Sequence, residues 1–425
     1  MSGSLVADLG VGPDVWLILT LLGCVTLFFK FSRVWSVRNL DLLLVFAPAP
    51  GLMMLVGQRS DQPWVAFLWL FLGLALWLVR CLIDLGLTRR PVLEPNLNAA
   101  GLTCLTIGIL GLSLAETVSL PVDDGAARNP ADPGVRGDQS LVGPIDADSP
   151  VNQVLKIAPL PYSLKTNLPQ VMLARVLASL GQIGLVVALI VVGWKHFGRP
   201  SDGLSVATCY LLLPYTRIAL VDCGQIIPSA MIVTAIVVHA RPRLAGALIG
   251  LAGGWMPACL GLVPLWGGFY RGRGATHFVS VATGSVAGCL VLSQTVPGLA
   301  GWARALGARS LAEAGLLPHV DPPLSGSFWS GIDVSYRLPV LILYLAFVVT
   351  VALLPATKNL GDLIALSASL LVAAQFWYLD KGGTLMLLYL PLVLLMIFRP
   401  NIASRRQVAL SPKGQGVGQP LNPVR

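Results

Sequence analysis

The side chains best suited to chemistry are the few polar and ionisable residues that lie within or beside long apolar stretches. Arg175 and Arg217 lie inside such stretches, and Asp222 and Gln225 follow Arg217 in a short polar turn. A guanidinium group binds phosphate oxygens, and a carboxylate can take a proton from a hydroxyl group. These four residues are therefore candidates for binding a substrate that carries phosphate.

Most of these side chains also have a structural interpretation. Arg217 could extend to lipid headgroups at the membrane surface, Arg175 could serve packing, and Asp222 could cap a helix. Arg80 and Asp84 are four residues apart in another apolar stretch. That spacing predicts an ion pair on one face of a helix.

The composition identifies the setting in which these residues act. Of the 425 residues, 55% are hydrophobic and 12% are charged, and the mean hydropathy is +0.76. A soluble domain has about 25% charged residues, so the sequence predicts an integral membrane protein. The net charge of +9 comes from Lys and Arg in short loops between apolar stretches. This distribution sets membrane orientation and does not favour a nucleic-acid partner.

Cysteine and histidine do not form a pattern typical of a metal site. Six of the seven cysteines lie in apolar stretches, no pair has metal-ligand spacing, and the four histidines are scattered. We expect the cysteines to be small packing residues and predict no bound metal.

The apolar stretches predict an all-α polytopic membrane protein with about eleven transmembrane helices. Lipid cannot hydrogen-bond an unpaired backbone, so each span must be helical. The predicted spans are 14–30, 41–57, 64–86, 98–116, 169–194, 203–221, 226–240, 275–298, 338–355, 360–379 and 383–399. Placing the basic loops in the cytoplasm puts the N-terminus outside and the C-terminus inside.

Residues 244–269 do not fit a simple crossing, because basic loops precede and follow them. A hairpin that enters the membrane and returns would keep both loops on the cytoplasmic side. The run Gly253-Gly254-Trp255-Met256-Pro257 lies near the middle of this segment and predicts a break in the helix. We predict a broken re-entrant hairpin, with one kinked span as the alternative.

The predicted organisation has six parts. They are a four-span region at 1–116, an extracytoplasmic loop at 117–168, a membrane core at 169–298, a second extracytoplasmic loop at 299–337, a three-span region at 338–399 and a cytoplasmic tail at 400–425. Asp123 and Asp124 lie in the first of these loops, soon after Glu116 at the outer end of a span.

Several short motifs follow one another through the middle of the chain. They are Gly224-Gln225, Arg241-Pro242-Arg243, Ala245-Gly246, Gly250-Leu251-Ala252 and the basic stop from Arg271 to Arg273, with Pro161-Tyr162 and Pro169 upstream. This stretch, about residues 155–300, resembles the core of glycosyltransferase family 87 in the GT-C superfamily. The resemblance implies a GT-C-like fold.

The same resemblance implies a membrane glycosyltransferase that uses a polyprenyl-phosphate sugar as the donor. The sugar, with mannose as the candidate, would pass to a hydroxyl group of an extracytoplasmic glycan or lipid. The protein would lie in the cell (inner) membrane among membrane lipids, and no cofactor is implied. Asp123 or Asp124 would be the catalytic base and Arg217 would contact the donor phosphate. Gln225 would lie near the donor.

The chain departs from the family pattern at two points. Trp255-Met256 stands where the family has a Lys before the Pro, and Arg217 or Arg175 would have to supply that charge. Four predicted spans precede the first large outer loop, whereas the family has its catalytic Asp soon after the first span. A non-catalytic relative or accessory subunit therefore remains an alternative. A transporter is a weaker one, because the chain lacks repeated halves and midplane charges.

Overall fold

The described part of the molecule is built from helices alone. The computed structural model describes residues 13–56, 63–87, 95–119, 168–272, 274–295, 328–329, 332, 334–379 and 381–400. The helices are α1 Pro13–Phe28, α2 Val37–Phe46, α3 Ala49–Val56, α4 Pro63–Gly86, α5 Ala99–Ser119, α6 Leu168–Val192, α7 Pro200–Leu212, α8 Pro214–Ile218, α9 Cys223–Val237, α10 Pro242–Trp255, α11 Leu262–Phe269, α12 Ala275–Thr295, α13 Val334–Leu353, α14 Leu360–Ala374 and α15 Met386–Phe398. Short 3₁₀ turns at Phe31–Arg33 and Pro257–Gly261, and a π-helical turn at Gly193–Phe197, join some of them.

The surface of this helical bundle is that of an integral membrane protein. Side chains such as Ile107 and Leu343 are 66% and 70% exposed, and similar apolar residues cover most of the outer helices. Soluble proteins rarely expose such continuous apolar area. Six segments are long and apolar enough to cross a bilayer: Val37–Leu55, Trp64–Gly86, Ala99–Val118, Met172–Phe197, Ala275–Ser293 and Ser335–Leu353. The predicted all-α membrane class is confirmed, whereas the count of eleven spans stays a prediction.

Two predicted spans are interrupted, and proline is the reason in both. The span predicted at 203–221 is two helices, because α7 ends at Leu212 and α8 begins at Pro214. Leu213 between them has an extended backbone, as expected for a residue that precedes proline. The span predicted at 41–57 is divided at Pro48 between α2 and α3. The prediction of one helix at 203–221 was wrong, whereas Val37–Leu55 as a whole remains long and apolar enough to cross a bilayer despite the turn at Pro48.

The interior of the bundle is formed by α14 and α15. Every residue of α15 is buried, and nearly all of α14 is buried as well. The helix α15 contacts α7, α9 and α14, and α14 also packs on α4. A helix that is apolar on all sides suits such a position. At 13 residues, or about 20 Å, α15 is too short to cross the bilayer alone.

The segment predicted to form a hairpin does turn back on itself. The helix α10 ends at Trp255, Met256 has an extended backbone, and a 3₁₀ turn leads into α11. At the far end of α11 the hydroxyl of Tyr270 donates to the carbonyl oxygen of His239 at 2.5 Å, just before α10 begins. The predicted break is thus present, and both arms end on the same side of the bundle.

A buried ionic network joins α2, α4 and the end of α15. The guanidinium of Arg80 donates to both carboxylate oxygens of Asp41, at 2.5 and 2.7 Å, and to Asp84 at 3.1 Å. The other oxygen of Asp84 pairs with Arg399, and Asp84 is fully buried. The predicted Arg80–Asp84 pair is confirmed. The sequence did not predict the other two partners. Asp41 is 39 residues from Arg80, and Arg399 is 315 residues from Asp84.

The network gives a first prediction. Asp84→Leu leaves the Arg399 charge buried without its carboxylate, so we expect unfolding to become easier by roughly 3–5 kcal/mol. Adding Arg399→Met removes that charge and should restore most of the loss. Equilibrium unfolding in detergent micelles measures both variants. A double variant as unstable as Asp84→Leu would show that the pair itself, and not the unpaired charge, determines stability.

Close packing of α10 on α12 gives a second prediction. A Cβ atom at Gly246 would lie 2.6 Å from the carbonyl oxygen of Phe278, whereas one at Gly284 on α12 would meet nothing within 4 Å. Gly246→Ala should therefore force the helices apart and lower stability. Gly284→Ala should stabilise by up to about 1 kcal/mol, since alanine favours helix. Thermal unfolding of the two variants and of the parent measures both effects. Equal shifts of the unfolding temperature in the two variants would contradict this packing.

Candidate functional site

The polar residues predicted to bind substrate gather where α5, α6, α8 and α9 end or begin. We call this group, Glu116, Arg175, Arg217, Asp222 and Gln225, the polar end. Nε of Arg217 contacts Oε1 of Glu116 at 3.0 Å, and each side chain is 29% exposed. The pair therefore lies at the surface of the bundle, where a ligand could reach it.

Arg175 is buried at the polar end and hydrogen-bonds to a carbonyl group in the last turn of α5. Its guanidinium donates to the carbonyl oxygen of Val118 at 3.1 Å, and the residue is only 6% exposed. The last carbonyls of a helix have no partner within the helix, and a cation there also opposes the negative end of the helix dipole. The structural role that the sequence left open for Arg175 is thus present.

Asp222 and Gln225 connect the first turns of two helices. The carboxylate of Asp222 accepts from the backbone N–H of Gly224 at 3.0 Å, as the N-cap of α9, and from the side-chain amide of Gln225 at 2.8 Å. The carbonyl oxygen of the Gln225 side chain accepts from the backbone N–H of Leu387 at 3.0 Å. Leu387 is in the first turn of α15, where backbone donors lack helical partners. The capping interpretation of Asp222 is confirmed.

The two predicted catalytic residues, Asp123 and Asp124, lie outside the described residues. The helix α5 ends at Ser119, four residues before Asp123 in the sequence, and α6 begins at Leu168.

One cavity among the described helices has a volume of about 290 Å³ and lies between α6, α9 and α10. Its α9 wall includes Ile227, Ala230 and Thr234. On a helix these positions point about 140–200° away from Gln225. The cavity is therefore on the opposite face of α9 from the polar end and does not serve it.

No group of three or more His, Cys, Asp or Glu side chains that could hold a metal ion lies among the described residues. All seven cysteines are free thiols. Within this part of the chain, the chemistry at the polar end is that of carboxylate, guanidinium and amide groups.

These features define an all-helical integral membrane protein with a partly exposed Glu–Arg pair at one end. Comparison of the chain with protein-family models, with curated proteins and with solved structures finds no match. The class is therefore set by the fold and the site alone.

The sequence placed Glu116 and Arg217 at the same end of the bundle without predicting their contact. The two residues are 101 positions apart, so no local spacing connects them. The signal that could have indicated the pair is their opposite charge, with each residue close to an end of an apolar stretch.

The two kinds of contact at the polar end predict different effects on stability. Gln225→Leu leaves the N–H of Leu387 buried without an acceptor and should cost about 1–3 kcal/mol. Arg217→Gln breaks a partly exposed ion pair, which should cost no more than about 1 kcal/mol. Unfolding in detergent micelles measures both. Equal losses would mean that the Glu116–Arg217 pair is as structural as the Gln225 contact.

Proposed function

We propose that this protein is a membrane glycosyltransferase of the GT-C type, which moves a sugar from a polyprenyl-phosphate donor to an extracytoplasmic hydroxyl group. The observation that carries the proposal is the partly exposed Glu116–Arg217 pair. A guanidinium at the surface of the bundle suits the phosphate of a lipid-linked sugar. Glu116 also lies in α5, which ends at Ser119, four residues before Asp123 in the sequence.

The proposed reaction needs one base and one cation. The oxygen of the acceptor hydroxyl attacks the anomeric carbon, and the bond from that carbon to the phosphate oxygen breaks. Asp123 or Asp124 takes the hydroxyl proton as general base. The polyprenyl phosphate leaves with the bonding electron pair, and Arg217 stabilises its negative charge. The other residues of the polar end, Arg175, Asp222 and Gln225, hold the helix ends on which this arrangement depends.

The proposal also includes the finer membrane architecture. The hairpin of α10 and α11 enters from the cytoplasmic side, the N-terminus lies outside and the C-terminus lies in the cytoplasm. The protein lies in the cell (inner) membrane, mannose is the candidate sugar, and the acceptor is a glycan or a lipid. The positive-inside rule supports this orientation.

A specific observation favours the second candidate, a non-catalytic relative or accessory subunit. At the hairpin tip, Trp255-Met256 replaces the cation that the resemblance leads one to expect. The sulfur of Met256 accepts from the hydroxyl of Tyr378 at 3.2 Å, so the tip is packed against the core. Arg175, Asp222 and Gln225 all have protein partners too.

Sugar transfer in membranes that contain the protein and a radiolabelled polyprenyl-phosphate mannose would test the proposal. Arg217→Gln should lower the rate about a hundredfold, the usual effect of losing one charge-stabilising group. Asp123→Asn with Asp124→Asn should abolish transfer while expression is unchanged. Arg243→Gln, which removes an exposed charge far from the polar end, is the control.

The results separate the alternatives. Transfer that survives both Asp substitutions would overturn the assignment of the base. A parent protein that is folded and inactive with every polyprenyl-phosphate sugar would favour the non-catalytic relative.

A further inference from the structure

The apolar cavity on the far face of α9 leads toward a group of basic residues. We call the cavity, lined by Leu177, Leu180, Gly181, Ile227, Ala230, Met231, Thr234 and Leu248, the apolar cleft. Lys195 lies in the π-helical turn Gly193–Phe197 that directly follows α6, the helix that carries Leu177, Leu180 and Gly181. Thr234, at the other end of the cleft, is about one turn before the end of α9.

The contacts at this end bring three helix ends together. Nζ of Lys195 donates to the carbonyl oxygen of Val237 at 3.1 Å, and Nε2 of His196 contacts the same oxygen at 3.1 Å. The rings of His196 and His239 are 4.7 Å apart. The Tyr270 hydroxyl reaches the His239 carbonyl oxygen, which places the end of α11 beside them.

Several positive charges lie at this end of the bundle. Arg241 is exposed and comes two residues after His239 in the chain, and Arg271 is exposed and directly follows Tyr270. The end of α9 provides only about half a negative charge. No described contact of Lys195 is to a carboxylate. We call Lys195, Arg241 and Arg271 the basic rim.

Histidine adds little to this charge near neutral pH. Burial lowers the pKa of His239, and the nearby Lys195 charge lowers it further. A lowered pKa means that the ring is mainly neutral at pH 7, so the cations that face an incoming anion are those of the basic rim.

We propose that the apolar cleft and the basic rim together bind an anionic phospholipid. One acyl chain lies in the cleft, and the phosphate group contacts the rim. The cleft is a shallow groove that is open on one side, with a volume of about 290 Å³, which suits one chain and not a whole lipid. Basic pockets between membrane helices are known to suit such headgroups. The site does not depend on the proposed transferase activity, since it lies on the opposite face of α9 from the polar end.

Native mass spectrometry of the purified full chain tests the site, with phosphatidylglycerol and phosphatidylcholine of the same acyl chains as probes. Phosphatidylglycerol should bind more tightly. Lys195→Gln should weaken its binding about fivefold, the effect expected of one basic residue at a membrane surface, and leave phosphatidylcholine unchanged. Lys30→Gln, which removes an exposed charge between α1 and α2, is the matched control and should change neither.

The cleft is tested separately from the rim. Leu180 is 60% exposed, so Leu180→Trp should fill the cleft without entering the core and should weaken the binding of both lipids. Ala230→Phe fills the same space from α9 and provides an independent variant. Equal binding of the two lipids by the parent, or equal effects of Lys195→Gln and Lys30→Gln, would overturn the proposal.

Inorganic phosphate distinguishes a lipid headgroup from a free phosphate. If the site takes a lipid, phosphate should compete weakly with phosphatidylglycerol. If phosphate binds the parent and the Leu180→Trp variant equally and displaces the lipid at similar concentration, the rim is a free-phosphate site and the lipid assignment is overturned.

Discussion

The constraint on which this structure depends is that lipid offers no hydrogen-bond partner to an open backbone. Unpaired N–H and C=O groups in hydrocarbon each cost several kcal/mol, so an interrupted helix must find partners inside the protein. At the Pro48 break the indole of Trp69 donates to the Ala47 carbonyl at 2.7 Å. At the Leu213–Pro214 break the Thr216 hydroxyl donates to the Tyr210 carbonyl at 2.6 Å. At Pro214 a side chain thus supplies the donor that proline removes, and at Pro48 a side chain supplies a donor to a carbonyl at the break.

The same rule explains the chain between α14 and α15, which is buried in the centre and irregular. The side-chain oxygen of Gln375 accepts from the backbone N–H groups of Gly383 and Leu385, at 3.2 and 3.3 Å. Nε of Arg337 donates to the carbonyl of Trp377 at 2.8 Å. Gln225 has the same role at the first turn of α15, where its side-chain oxygen accepts from the backbone N–H of Leu387. Its contact is therefore part of how two short buried helices are held in place, which explains why a polar amide is found at 3% exposure.

Sequence reasoning succeeded where the information is local. Composition identified the membrane class, the i, i+4 spacing identified the Arg80–Asp84 pair, and the Gly-Gly-Trp-Met-Pro run identified the hairpin break. It failed at 203–221, because hydropathy reports lipid-compatible composition and is insensitive to one proline. It also could not identify Glu116 as the partner of Arg217, or Arg399 as that of Asp84. Those pairs depend on how distant helices pack, and no spacing in the sequence encodes that.

The helix α9 extends from the polar end of the bundle to the basic end. Asp222 and Gln225 begin it at the polar end, and Val237 ends it beside Lys195 and His196 at the basic end. At 15 residues it is only about 22 Å long, and Pro228 lies within it. Its inner face contacts the buried helix α15 and its outer face lines the apolar cleft. A rigid-body shift of α9 would therefore move the Gln225–Leu387 contact and the wall of the cleft together.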